Sequence, residues 1–211
     1  MPEISTLAVF LVTAVLLIIT PGPAVMYVVA RSIDQGRLAG IVSTLGIGVG
    51  TLFHVAAAAL GVSALLVSSA LAFNLVKYLG AIYLIYLGVR KIMAREEINR
   101  PKTVKPAALS HVFYQGVVVN ILNPKTALFF FAFLPQFVDM RHGSVALQIF
   151  FLGTVFVLIG IVSDGLWALL AGTLGQWLKG NLKFLLAQRY FAGTVFIALG
   201  ITTAMSGSHK K

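Results

Sequence analysis

Ile18-Ile19-Thr20-Pro21-Gly22-Pro23-Ala24-Val25 sets two prolines around a glycine inside a long apolar stretch, and Asn120-Ile121-Leu122-Asn123-Pro124-Lys125 places a third proline at a matching point of the second half. A proline in a helix removes a hydrogen-bond donor and clashes with the carbonyl four residues back, so both stretches should break there. Backbone left unpaired at membrane depth is tolerated only where it is buried in protein or lines a cavity. Broken apolar segments at corresponding places in two halves point to an inverted repeat with a binding site where the breaks meet.

The rest of the chain supports a membrane reading. Of 211 residues, 59% are hydrophobic and 10% charged, and the mean hydropathy is +0.96, far outside the soluble range. Stretches long enough to cross a hydrocarbon core of about 30 Å cover residues 4–30, 38–69, 112–138 and 144–178, with shorter ones at 71–89 and 190–207. Lys77 lies near the start of the 71–89 stretch, where a long stem should snorkel to the interface. The first stretch lacks a basic leader and a small-residue cleavage site, so it reads as helix 1 rather than a removed signal peptide. With no cysteine in the chain, disulfides, thiolate metal sites and cysteine nucleophiles are excluded.

The net charge of +10 reports topology, not nucleic-acid binding, because the basic residues sit in short loops between apolar spans. Segments 31–37, 90–105 and 179–189 carry Arg31, Arg37, Arg90, Lys91, Arg95, Arg100, Lys102, Lys105, Lys179, Lys183 and Arg189. The opposite loops and the tail carry Lys77, Arg141, Lys210 and Lys211. The positive-inside rule then makes the first set cytoplasmic and puts both termini outside. Five spans with an inside N-terminus would keep the basic central loop cytoplasmic as well.

The repeat can be followed along the chain. Tyr78 to Met93 lies over Tyr190 to Met205 without a gap, with Tyr78 on Tyr190, Ile85 on Ile197, Leu87 on Leu199, Gly88 on Gly200 and Met93 on Met205. Apolar composition alone gives some matches, but the paired breaks add to them. The spacing is 112 residues there and 103 between Pro21 and Pro124, so the second half holds extra residues, placed at 134–143. Three spans per half force the halves into opposite orientations. The expected architecture is an all-α integral membrane protein of six transmembrane helices. Two inverted three-helix repeats, 1–93 and 111–211, with helices 1 and 4 broken at proline, flank a basic linker at 94–110.

Chemistry must come from the few polar groups within the spans, since each is costly to bury there. Asp164 is the one charge between residues 144 and 178, and an isolated carboxylate at that depth must take up a proton or find a cation. His54, its counterpart in helix 2, is a second candidate proton carrier, against the simpler role of a hydrogen-bonded packing residue. Lys125 follows a proline that frees the Asn120 carbonyl, and with Asn120, Asn123 and the half-helix starting at Thr126 it suits a carboxylate. A lysine snorkelling to the interface is the competing reading. Pro21, Gly22, Pro23 and Pro124 complete the set by exposing backbone. No cofactor motif occurs, and no metal cluster or paired-carboxylate spacing suggests an enzyme.

At these residues the chain resembles the LysE-type amino-acid exporters, closest to the branch that exports homoserine, homoserine lactone and threonine. The resemblance rests on Thr20-Pro21-Gly22-Pro23, Val119 to Lys125, Phe133-Leu134-Pro135-Gln136-Phe137 and Tyr83 to Gly88, and covers essentially the whole chain. It implies efflux of small amino acids or derivatives across a bacterial inner membrane, driven by protons. The expected partners are an amino-acid-like substrate, protons and the bilayer, with no nucleic acid and with homo-oligomerisation left open. In the mechanism this implies, the two broken helices alternate access to a midplane site. Lys125 and the break amides hold a carboxylate there, and Asp164 either faces the ammonium or carries the proton. A passive channel or a lipid-handling membrane protein is the alternative.

Overall fold

The computed structural model describes residues 4–68, 70–93, 107–139, 143–180 and 182–205. The regular structure among them is helical. Helix α1 (Ile4–Ile19) and helix α2 (Pro23–Gln35) are bent by 49° at the first break. Pro23 opens α2 at the first helical position, where its fixed φ suits the helix and its missing N–H costs nothing. The helix closes at Gly36, whose φ of 89° is left-handed and whose N–H bonds back to the Ser32 carbonyl.

Helices α3 (Arg37–Ser68) and α4 (Ala70–Met93) complete the first half. The second half opens with α5 (Leu109–Ile121), which is broken at Leu122–Asn123 from α6 (Pro124–Leu128). From α6 the chain runs on as a π-helical turn at Phe129–Phe133 and a 3-10 turn at Leu134–Phe137, and this bent pair turns by 47°. A π turn holds one more residue than an α turn. Helices α7 (Val145–Gly180) and α8 (Leu182–Met205) follow.

Among the described residues, Arg37–Gly61 and Val145–Thr173 are each long and apolar enough to cross a membrane, and each bent pair can supply one more span. The expected third and sixth spans fall on α4 and α8, where Gly193–Met205 registers as a shorter apolar helix. The linker 94–110 lies outside the described residues as far as 106, as do Arg141, Lys210 and Lys211.

Apolar burial drives helices together weakly inside lipid, so small residues that admit close van der Waals contact decide the packing. Helix α5 lies against α3, where a Cβ on Gly50 would stand 2.7 Å from the Val117 carbonyl oxygen. Helices α3 and α7 run antiparallel, with Gly48 against Ile161 and Gly153 against Val55. Helices α4 and α8 pair antiparallel in the same way. A Cβ on Gly88 would lie 2.6 Å from the Gly193 carbonyl oxygen, and one on Gly200 would lie 2.7 Å from that of Ala81. Lys77 departs from the snorkelling expected of it: it is 2% exposed, with its ammonium 4.8 Å from the Tyr78 ring centre. Within α4 it lies on the same helical face as Ala81 and Leu84, which are also buried.

An aromatic core of Phe10, Phe129, Phe130, Phe133, Phe137 and Phe156 lies between α1, the π turn and α7. On the outside, side chains such as Val12, Phe53, Leu158 and Val162 stand exposed. A continuous apolar exterior of this kind marks a lipid-facing surface.

Candidate functional site

The two breaks touch. Lys125, the second residue of α6, points its ammonium at the carbonyl of Thr20, just past the end of α1, and donates a hydrogen bond to it. Its stem lies along the first break, since a Cβ on Gly22 would come 3.0 Å from Lys125 Cδ and 3.6 Å from Nζ. A side chain in place of this glycine would press on the lysine stem.

The two half-helix starts are finished differently. At α6, Asn123 is the N-cap, and its side-chain oxygen accepts from the Lys125 backbone N–H at 3.1 Å. At α2, Gly22 is the N-cap and supplies no side-chain bond, so the first-turn donors keep no partner from their own helix. The sequence points to the α6 start, placed at Thr126, as the end that suits a carboxylate. The structure begins α6 at Pro124 and caps it internally, which leaves the α2 start as the uncapped one.

Asn120 holds the second break in place. Its amide donates to the Ile47 carbonyl at 3.0 Å and to Thr51 Oγ1 at 2.7 Å, both on α3. Its side-chain oxygen accepts from Asn123 Nδ2 at 3.2 Å and Thr126 Oγ1 at 3.1 Å. Both amide protons and both acceptor lone pairs are therefore in use. The Asn120 carbonyl, freed from the helix ladder by Pro124, accepts from His54 Nε2 at 2.9 Å and from the Asn123 N–H at 3.0 Å. The His54 ring is stacked on Phe130, with 13° between planes.

A cavity of about 40 Å³ opens beside this network. Its walls include Ala24 and Val25 from the start of α2, Thr44, Gly48 and Thr51 from α3, Asn120, Asn123, Lys125 and Thr126 around the second break, and Phe156, Gly160 and Asp164 from α7. Asp164 is 6% exposed and Lys125 8%, and the two charges interact across the space. A lone charge in such a place costs several kcal/mol, and each offsets that cost for the other.

Asn120, Asn123, Lys125 and Asp164 thus share one cavity. Gly22 touches Lys125 from behind, while Pro21, Pro23 and Pro124 shape the breaks without lining the space. His54 stands one hydrogen bond away from it. Sequence reasoning missed Thr44, Gly48 and Thr51, and with them Phe156 and Gly160. The signal was present: each set follows a single face of its helix at steps of three or four residues. Among the described residues no three of His, Cys, Asp or Glu gather as a metal site would need.

Residues 15–207 match the LysE type translocator family. The chain is 30% identical over 188 residues to an uncharacterized membrane protein, YrhP, of Bacillus subtilis (strain 168), covering 85% of this chain and 89% of that one. It is also 30% identical over 171 residues to a homoserine/homoserine lactone efflux protein of Salmonella typhimurium, covering 81% and 82%. A leucine efflux protein of Salmonella choleraesuis is 29% identical over 151 residues, 71% of each chain. No solved structure matches the chain.

Proposed function

The chain belongs to the LysE type translocator family, and from that premise we propose that it is a secondary active exporter of small amino acids or their derivatives, coupled to protons and working by alternating access. The observation that carries this reading is the cavity at the junction of the two breaks, which has a cation on one wall and an anion on the other. An α-amino acid is a zwitterion, so it presents both complementary charges at one end. Its carboxylate is bound by Lys125 and the uncapped amides at the start of α2. Its ammonium faces Asp164. Thr44, whose hydroxyl proton goes to the Gly40 carbonyl, keeps acceptor capacity for a hydroxyl, as on homoserine or threonine. Asn120, whose amide is filled, acts on the site by holding Asn123 and Thr126.

The proposal includes two inverted repeats, 1–93 and 111–211, in a bacterial inner membrane, with linker 94–110 cytoplasmic and both termini outside. The crossings support this repeat. The antiparallel α4–α8 pair places Gly88 and Gly200, equivalent at the spacing of 112, in matching contacts. The same spacing relates Gly48 and Gly160, which both line the cavity. A cavity of 40 Å³ is also well below the roughly 300 Å³ at which small-ligand pockets begin. Binding therefore requires the halves to part, as alternating access demands.

Counterflow tests the reading. Proteoliposomes loaded with unlabelled homoserine, threonine or leucine should transiently accumulate the labelled form above equilibrium, whereas a passive channel gives equilibration without overshoot. Lys125→Met keeps the stem packed on Gly22 and removes the charge, so it should abolish the overshoot. Overshoot of wild-type size in that variant, or none with any amino acid in the wild type, would overturn the proposal.

A further inference from the structure

Among the described residues, hydrogen bonds between the two halves gather in two places. One is the pair of breaks. The other is the far end of α2, where the chain approaches the linker, and no part of the cavity explains it. There Arg31, 4% exposed, donates through Nη2 to the side-chain oxygen of Gln115 on α5. Its Nη1 donates to Gln35 Oε1 at 2.7 Å, and Gln35 Nε2 in turn donates to the Ala107 carbonyl at 2.7 Å. Tyr27, one turn closer to the break, donates to the Val112 carbonyl at 2.8 Å. The guanidinium carbon lies 5.6 Å from the centre of that tyrosine ring.

On the other side of the cavity the halves meet through aromatic rings. Phe10 of α1, 0% exposed, meets the ring of Phe137 edge-on at 5.4 Å and Phe129 at 6.2 Å. The bent pairs therefore run antiparallel past each other. Phe10–Phe137 closes one end, Lys125–Thr20 marks the middle, and Arg31–Gln115 closes the other end.

We propose that Arg31 and Gln115 are the gate on the linker side of the transport path, and that Phe10 with Phe137 is the opposite gate. This rests on the transport reading above, because a gate matters only if the halves part. The chemistry of the two gates differs in a way that suits alternation. Water replaces every partner that the arginine and glutamine lose when their groove opens, so the polar latch separates readily into a wet vestibule. The phenyl rings recover no such partner in water and close again by apolar contact. The arginine fork spans Gln35 within its own half and Gln115 across the divide, so it has a place to rest when the groove is open.

The chain has no cysteine, which makes a single introduced thiol an unambiguous reporter. Gly160 lines the cavity and a Cβ there meets nothing within 4 Å, so Gly160→Cys places a thiol in the space without a clash. Labelling by a charged, membrane-impermeant methanethiosulfonate is then timed in intact cells and in inverted vesicles. Adding Gln115→Leu should speed labelling from the linker side about tenfold, the shift expected from losing one hydrogen bond to a charged group, and leave the other side unchanged. Arg31→Lys, which keeps the charge and loses the fork, should act in the same direction. Phe10→Ala should speed labelling from the opposite side alone, with Phe137→Leu as the milder variant should Phe10→Ala not fold. Unchanged labelling from the linker side in both latch variants, or an equal rise from both sides, overturns the gate. The assay needs no substrate, so a failed gate is read apart from a failed transport assignment.

Discussion

Lys125 and Asp164 illustrate how much a single residue pair can be asked to do. Both are buried in the second half, on different helices, and each lowers the cost of holding the other at membrane depth. Breaking a buried pair by deleting one partner typically costs about 3–5 kcal/mol, so a transport defect is informative only in a variant that still folds. Asp164→Asn meets that condition best, since it keeps shape and hydrogen bonding while losing the exchangeable proton. If Asp164 carries the coupling proton, the variant exchanges substrate at equal pH but no longer accumulates it against a proton gradient. If it is only the ammonium partner, exchange and gradient-driven flux fall together. Wild-type values for both would remove Asp164 from the mechanism. His54, the second candidate for the proton, donates through Nε2 to the carbonyl that Pro124 sets free and so also holds the second break.

At the scale of the element, the breaks were legible in the sequence and their finish was not. Proline and glycine in an apolar run announce a bend through backbone chemistry that needs no partner. Whether the resulting helix start is capped depends on which side chain turns back on it. Asn123 does so at α6, and nothing does at α2. The same limit hid the filled amide of Asn120, which takes its partners from α3, well over sixty residues earlier. The prolines carry a prediction of their own. Pro124 sits at the first position of its helix, where proline is well tolerated, so Pro21→Ala with Pro124→Ala should change stability by about 1 kcal/mol or less. Transport should still fall several-fold, because alanine at 124 lets the second pair sample a straight helix that withdraws Lys125 from Thr20. Thermal unfolding in detergent and counterflow, measured side by side, test this. Normal transport would mean that packing alone sets the bends.

Over the whole molecule, the likeness between Tyr78 to Met93 and Tyr190 to Met205 becomes a statement about contacts. Sequence identity in two apolar helices is weak evidence, because the alphabet is small. Equivalent glycines in equivalent contacts are stronger evidence. Gly88 meets Gly193 and Ile197, and Gly200 meets Ala81 and Ile85, each pair the image of the other at a spacing of 112. A methyl group at either glycine would press on a backbone carbonyl, and overpacking of this kind costs about 1–3 kcal/mol. Gly88→Ala and Gly200→Ala should therefore lower the melting temperature by similar amounts. The double variant should lose less than the two losses added together, because once the helices have moved apart for one methyl the second finds room. Since α4 and α8 line no part of the cavity, transport per folded molecule should persist in both single variants. Unequal melting shifts would show that the two helices resemble each other only in composition. Equal shifts with a less-than-additive double would place both glycines on one shared interface, as the proposed repeat requires.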